Sequence, residues 1–367
     1  MQDAEFMSRA LVLAKNALGR TSPNPLVGAV IVRDGRVVAS GWHRKAGTPH
    51  AEIHALNMAG ELARGATLYV TLEPCAHYGR TGPCAKAVIE AGIRRVVIAM
   101  QDPNPLVAGK GIAMLKDAGV EVACGVLEAE AQKLNEVFLK WISTGMPFVT
   151  MKTAMTLDGK IATVTGKSQW ITNEVSRERV HEWRDIHDGI LVGIRTVLMD
   201  NPALTTRLPD RKGRNPVRII LDSRGRTPLT SKILTDGQAR TIIAVTADAP
   251  AANVKALRAA GAEVLVAGSG RRVELPALLR QLGEMEICSL FVEGGATVNF
   301  SFLQAGLVDR VHAFIAPMLV GGGDALTPVG GEGFAELSDA VELDHIEVEH
   351  LAGDVLISGY VKRSFAG

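Results

Sequence analysis

A helical register over residues 128–142 stops at Thr144-Gly145-Met146-Pro147, and a strand-like run, Phe148 to Thr153, begins directly behind it. Glycine and proline end a helix because one turns at no steric cost and the other lacks the backbone N–H. The break divides the 367 residues into 1–146 and 147–367, each of ordinary domain size. In the first, Phe6, Met7, Ala10, Leu11, Ala14 and Leu18 recur at helical spacing, which predicts an amphipathic helix over 3–18. Apolar runs Gly28 to Val32 and Arg36 to Ser40 flank Asp34-Gly35, a hairpin signal. Helices near 50–60, 84–91, 109–118 and 128–142 alternate with strands Thr67 to Thr71 and Arg95 to Met100. Beyond the break, strand-like runs Ile190 to Gly193, Val217 to Leu221, Thr241 to Val245, Glu263 to Ala267, Ser289 to Val292 and Val311 to Pro317 alternate with helical stretches. Glu342 to Lys362 reads as a closing hairpin around Gly353. Both lengths are read as α/β.

Composition narrows the class. Forty basic against 39 acidic side chains give a formal charge of +1, without the polycationic surface that nucleic-acid binding needs. Four cysteines are too few for a disulfide scaffold, and no apolar run approaches the roughly 20 residues that span a bilayer. Asp3, Glu5 and Arg9 interrupt any apolar core of a signal peptide. The expectation is a soluble cytoplasmic protein with no nucleic-acid and no membrane partner.

Residues 49–54 read Pro-His-Ala-Glu-Ile-His, and 73–84 read Glu-Pro-Cys-Ala-His-Tyr-Gly-Arg-Thr-Gly-Pro-Cys. His-x-Glu followed by Pro-Cys and a second Cys is the pattern of zinc deaminases. One imidazole and two thiolates, His50, Cys75 and Cys84, would hold one Zn²⁺ per chain with an open fourth position, where a bound water is acidified. Glu52, two residues from His50, is placed to carry that water's proton to the ring nitrogen and on to leaving ammonia. The His-Glu-x-x-His metalloprotease reading fails because Ala51 stands where its glutamate must be. A structural zinc knot would want a fourth protein ligand and has no use for Glu52. His54 is expected in a packing or supporting role, and Cys124 and Cys288, in apolar strand-like surroundings, as packing residues.

Eight residues separate the two cysteines, and they carry His77, Tyr78 and Arg80. Such donors suit a phosphate or ribose, while a merely longer turn is the alternative. Asn24, between two prolines, could present its amide to a pyrimidine edge or simply occupy a turn. His43 and Asn104 are weaker candidates.

In the second length, Ser289-Leu-Phe-Val-Glu-Gly-Gly-Ala-Thr-Val-Asn-Phe passes from an apolar strand through Gly294-Gly295 into a helix. A pyrophosphate can approach backbone N–H groups at such a turn, but alone the motif is weak. Its company is what matters: Leu157-Asp158-Gly159-Lys160, Ser168-Gln169-Trp170-Ile171-Thr172, Arg195-Thr196-Val197-Leu198 and Asp200-Asn201-Pro202-Ala203-Leu204 all fall near predicted strand ends.

The ordered set HAEIHAL, TLEPCAHYGRTGPC, QDPNPLVAGKG, TLDGKIA, SQWIT, TVLMDNPALT, ILDS and FVEGGATV resembles the bifunctional riboflavin-biosynthesis deaminase/reductase family over essentially the whole chain. The resemblance implies a cytidine-deaminase-like N-terminal domain, 1–146. This would deaminate 2,5-diamino-6-(5-phosphoribosylamino)pyrimidin-4(3H)-one. It also implies a dihydrofolate-reductase-like α/β domain, 147–367, that uses NADPH to convert the ribosyl side chain to ribityl. His50, Cys75 and Cys84 then match the zinc positions and Glu52 the proton shuttle. Ser168, Arg184, Leu204, Arg207 and Glu293 match substrate positions. Ala154, Trp170, Thr196, Asp200, Ser223, Gly295, Ala296, Thr297, Val298, Asn299, Phe300 and Ser301 match cofactor positions. Chemically, Arg184 and Arg207 suit phosphate clamps, Lys152 and Asp200 suit the opened sugar, and Ser223 with Arg224 or Arg226 suits a 2′-phosphate. A homo-oligomer is expected. The competing classes are a nucleoside or RNA deaminase with a noncatalytic C-terminal half, and a zinc-stabilised nucleotide-binding module without chemistry.

Overall fold

A computed structural model of the chain describes residues 2–76, 82–104 and 107–362. The chain divides into two compact units, Met1–Met146 and Pro147–Gly367. Among the described residues no helix is long and apolar enough to cross a membrane.

The first unit runs α1 (Gln2–Ala14), β1 (Gly28–Arg33), β2 (Arg36–Trp42), α2 (Ala51–Ala59), β3 (Thr67–Leu72), α3 (Cys84–Glu90), β4 (Arg95–Met100), α4 (Lys110–Asp117), β5 (Glu121–Cys124), α5 (Glu128–Leu134) and α6 (Glu136–Thr144). Its five-stranded sheet has the order β2-β1-β3-β4-β5. Strand β1 is antiparallel to β2 and β3, whereas β3, β4 and β5 are parallel. Two glycines show how the helices cover it. A Cβ on Gly28 would lie 2.0 Å from the Ala10 carbonyl oxygen of α1, and one on Gly41 would lie 2.6 Å from the Ala51 oxygen of α2. Gly41 pairs with Ala29, the neighbour of Gly28, and neighbours along a strand face opposite ways, so α1 and α2 cover opposite faces. Ile31, Leu68 and Ile98 are fully buried between those layers, each worth roughly 1.5–3 kcal/mol of burial.

Three expectations are corrected here. The first helix ends at Ala14 and is followed by a single 3₁₀ turn, Lys15–Ala17. The helix expected over 128–142 is two helices, α5 and α6, divided at Asn135, whose buried amide accepts from Leu26 N–H at 2.8 Å and donates to its carbonyl at 3.0 Å. Strand β5 was not expected, and Cys124 at its end is exposed, so that thiol is no packing residue. Cys288, by contrast, is buried.

The second unit runs β6 (Phe148–Thr156), α7 (Glu174–Ile186), β7 (Gly189–Gly193), α8 (Ile194–Asp200), β8 (Val217–Leu221), α9 (Lys232–Thr235), β9 (Thr241–Val245), α10 (Ala251–Ala259), β10 (Glu263–Val266), α11 (Leu275–Glu284), β11 (Ser289–Val292), α12 (Ala296–Gln304), β12 (Arg310–Ala316), β13 (Leu343–Leu351) and β14 (Asp354–Val361). Its nine-stranded sheet has the order β10-β9-β8-β7-β11-β6-β12-β14-β13. The strands are parallel from β10 to β12, and β14 and β13 are antiparallel additions. Ile190, Leu191, Ile219 and Phe291 are fully buried, as strands covered on both faces require. From β6 the chain works outward to β10, returns to insert β11, and crosses to β12. The carboxyl ends at such a reversal form a crevice where ligands bind.

Candidate active sites

The first site gathers at one end of β3. His50 is the N-cap of α2, Cys75 follows β3 closely, and Cys84 opens α3. His50 Nδ1 lies 3.7 Å from Cys75 Sγ and 3.3 Å from Cys84 Sγ, and the three donor atoms all lie within 4.8 Å of one another. The Cys84 backbone N–H donates to Cys75 Sγ at 3.4 Å, favouring a thiolate. Hydrogen bonding from Cys84 and His50 takes Cys75 down to about 4, and Cys84 is pushed up. One nitrogen with two sulfurs is a donor set that suits zinc.

Glu52, in the first turn of α2, is buried and lies outside that trio. Burial pushes its carboxyl up to about 7 against the opposing pull of His50. His43 stands edge-on to His50, with ring centroids 5.2 Å apart. Its Nδ1 meets the Pro49 carbonyl at 3.2 Å, and Nε2 meets Asn24 Nδ2 at 3.1 Å. The carbonyl accepts from Nδ1–H, which carries the ring's one N–H proton, so Nε2 accepts from the amide and Asn24 Oδ1 is left as the acceptor it presents. The structure thus brings Asn24 and His43 to the candidate metal-ligand trio. His54 stays outside it, with Nε2 buried and unpartnered among the described residues. His77, Tyr78 and Arg80 lie outside the described residues.

Sequence reasoning missed Glu73. Its buried carboxylate accepts four backbone N–H groups, from Asp102 (3.3 Å), Gly109 (3.0 Å), Gly111 (2.9 Å) and Ile112 (3.1 Å). It ties the segment leading into α4 to the strand end that carries Cys75. The only signal was its place beside Pro74-Cys75.

The second site is a cavity of about 660 Å³ in the other unit, lined by Lys152, Ala154, Ser168, Trp170, Arg184, Arg207 and Glu293 among others. Glu293, at the end of β11, accepts from Arg184 Nε at 2.6 Å and lies 3.7 Å from Lys152 Nζ. Burial alone would raise its carboxyl, but Arg184 and Lys152 hold it down to about 2. Arg184 also donates to the Thr205 carbonyl at 3.1 Å. Trp170 is 64% exposed at the rim, with the Arg177 guanidinium 4.7 Å from its ring centre. His181, another wall residue, was not foreseen. Leu204 does not line the cavity; its side chain is in the core.

The remaining cofactor candidates follow the carboxyl ends of neighbouring parallel strands. Thr196 and Asp200 lie on α8 after β7, and Ser223 follows β8, its Oγ accepting from Val273 N–H at 3.2 Å. Gly295 caps α12, whose opening turns hold Ala296, Thr297, Val298, Asn299, Phe300 and Ser301. Asn299 and Phe300 are buried, and Ser301 Oγ is spent on the Thr297 carbonyl. A Cβ on Gly295 would meet nothing within 4 Å, whereas one on Gly294 would lie 2.6 Å from Val298 Cγ1. Open space before a helix N-terminus, with the buried Asn299 Oδ1 lacking a hydrogen bond among the described residues, fits a pyrophosphate-bearing cofactor.

Residues 1–100 match the family model of the cytidine and deoxycytidylate deaminase zinc-binding region, and residues 147–357 that of the RibD C-terminal domain. The chain is 50% identical over 359 residues to the riboflavin biosynthesis protein RibD of Actinobacillus pleuropneumoniae, covering 97% of this chain and 95% of that one. It is 47% identical over 357 residues to the protein of the same name from Bacillus amyloliquefaciens, covering 97% and 96%. The solved structure of Acinetobacter baumannii RibD superposes with a TM-score of 0.90 at 41% identity over 99% of both chains. The diaminohydroxyphosphoribosylaminopyrimidine deaminase/5-amino-6-(5-phosphoribosylamino)uracil reductase of Thermotoga maritima gives 0.85 at 40% identity, over 98% of this chain and 99% of that one.

Proposed function

This chain belongs to the RibD family of bifunctional riboflavin-biosynthesis enzymes, and from that premise we propose how its residues divide two reactions. It is a deaminase and a reductase. The reactions are hydrolytic deamination of 2,5-diamino-6-(5-phosphoribosylamino)pyrimidin-4(3H)-one and NADPH-dependent reduction of the ribosyl to the ribityl side chain, giving 5-amino-6-(5-phosphoribitylamino)uracil. We assign the first to residues 1–146 and the second to residues 147–367.

The observation that carries the reading is the trio His50, Cys75 and Cys84 with a buried, non-ligating carboxylate beside it. When bound, zinc supplies the Lewis acidity that makes water nucleophilic near neutral pH, and NADPH supplies hydride. Glu52 takes one proton from water and delivers it to the ring nitrogen, then takes the second from the hydroxyl now on the ring carbon and passes it to the amine, which leaves as ammonia while the carbonyl forms. A carboxyl raised by burial exchanges protons near neutrality, as that double duty requires. Asn24, oriented by His43, and the donors His77 and Arg80 contact the pyrimidine and its phosphoribosyl arm.

In the reductase half Ser168, Arg184, Leu204, Arg207 and Glu293 bind substrate, Leu204 through its backbone. Glu293 fixes Arg184, while Lys152 and Asp200 orient the opened sugar. Ala154, Trp170, Thr196, Asp200, Ser223 and the segment Gly295 to Ser301 hold NADPH. The protein works as a cytoplasmic homo-oligomer. Support for assembly comes from β13, a sheet-edge strand with Ile346 and Val348 exposed at 50% and 58%.

The test supplies the phosphoribosylated diaminopyrimidine and NADPH and follows ammonia release and nicotinamide absorbance separately. Both signals are expected. Residues 1–146 alone should release ammonia without NADPH, and residues 147–367 alone should reduce supplied deaminated substrate. A Glu52→Gln chain that binds NADPH yet cannot reduce already deaminated substrate would overturn the two-site assignment.

A further inference from the structure

The cavity walls of the reductase unit hold two arginines whose charges are committed differently. Arg184 faces Glu293 at 2.6 Å, so much of its charge is already answered. The Arg207 guanidinium has, among the described residues, a hydroxyl as its hydrogen-bond partner, Thr205 Oγ1 at 3.1 Å, and stays available to an anion. The Arg207 backbone N–H donates to Nδ1 of His181 at 3.2 Å.

His181 stands one turn before Arg184 on α7, on the same face, and both line the cavity. The helix grips the following loop at successive points. Arg184 reaches the Thr205 carbonyl at 3.1 Å, and Asp185 accepts from Arg214 N–H at 2.6 Å. His181 supplies the point nearest Arg207. An Nδ1 that accepts places the ring's proton on Nε2, so the contact requires a neutral imidazole. Burial and the positive charges of Arg184 and Arg207 hold the ring in that form, down to about 4, against the pull of Glu293 and a hydrogen bond to the Thr205 backbone.

We propose that His181 is a positioning residue of the reductase half: by accepting the Arg207 backbone N–H it sets where the Arg207 guanidinium meets the phosphate of the substrate. The inference rests on the reading that this cavity takes the phosphoribosyl group. His181→Asn keeps an acceptor oxygen near the place of Nδ1, and His181→Ala removes it. Two quantities are measured on the full chain: KM and kcat for the deaminated substrate with NADPH, and calorimetric affinity for ribose 5-phosphate, which needs no turnover.

His181→Ala should weaken ribose 5-phosphate and raise KM by about tenfold, the size of one hydrogen bond, with the loss falling on KM rather than kcat. His181→Asn should recover most of it. In an Arg207→Ala background the alanine change at 181 should cost less than about twofold, because the group it positions is gone. Equal losses in both backgrounds, or no recovery by asparagine at an unaltered melting temperature, would overturn the proposal. If His181→Ala does not fold, His181→Gln, whose acceptor is displaced by one bond, takes its place in the cycle. Failure of wild-type reduction would count against the reductase reading, while the ribose 5-phosphate series would still decide the role of His181.

Discussion

The two sites solve positioning in opposite ways. In the first unit the candidate zinc ligands come from a short stretch, His50 to Cys84, 34 residues apart, and each sits at or just before a helix start or just after a strand. In the second, the central ion pair joins Arg184 to Glu293 across 109 residues, and only the return of β11 to the side of β6 brings them together. A metal centre demands particular donor atoms at close quarters, so its residue types and local spacing are narrow. A sugar-phosphate cavity needs charge and shape at the carboxyl ends of parallel strands, which many residues can supply from many places. The difference is one of chemistry, and it predicts different ways of failing.

The largest effect is expected at the metal centre. Cys84→Ser should remove zinc, from about one per chain, and deamination with it, while reduction of supplied deaminated substrate continues. Metal analysis beside the two assays checks this, and full metal retention would show that Cys84 is no ligand. Next, Glu52→Gln should keep zinc and lower deamination by about 10² to 10⁴, the span of general acid–base catalysis. Near-normal ammonia release would remove Glu52 from the proton path.

Acid should separate the units by mechanism. His187 and His312 are held neutral in the second unit, chiefly by burial, with their rings lowered to about 4 and about 3 from 6.5. Their folded values lie below the unfolded one, so the stability they contribute is complete above pH 6.5. It drains away as pH falls towards 4 and below, because the unfolded chain takes up protons that the folded one refuses; a loss of a few kcal/mol by pH 4 is expected. Denaturation of residues 147–367 between pH 7 and pH 4 measures it, and excess zinc should offset acid in residues 1–146 but not here. The smallest effect falls on the cavity. Arg184→Lys preserves charge but loses the planar fork that meets Glu293 and Thr205, so KM for the reductase substrate should rise about tenfold.

The same contrast governs what could be read before any coordinates. The candidate trio and Glu52 could be proposed from the residues themselves because that chemistry confines its residue types to two short motifs, 49–54 and 73–84. Ser168, Arg184, Arg207 and Glu293 came from resemblance, since nothing in an isolated arginine announces a cavity. His181 reads as any polar residue on an amphipathic helix, and Glu73 as the residue before a proline. Strand β5 escaped because it is a short edge with half-exposed side chains, too brief to show a period. Asn135 escaped for a different reason: its side chain fits the helical register, and what divides α5 from α6 is a backbone far away at Leu26.

That amide has a consequence for the order in which the protein is made. The buried N–H and carbonyl of Leu26, just before β1, find their partner 109 residues later in Asn135. At ribosomal rates of about 5–20 residues per second, the interval between the two is roughly 5 to 20 seconds. During it, the nascent chain already carries β1 to β4 but must leave those two groups to water. Closure of the first unit therefore waits for α5 to emerge, and a chaperone or the exit tunnel has that long to shelter an unfinished domain.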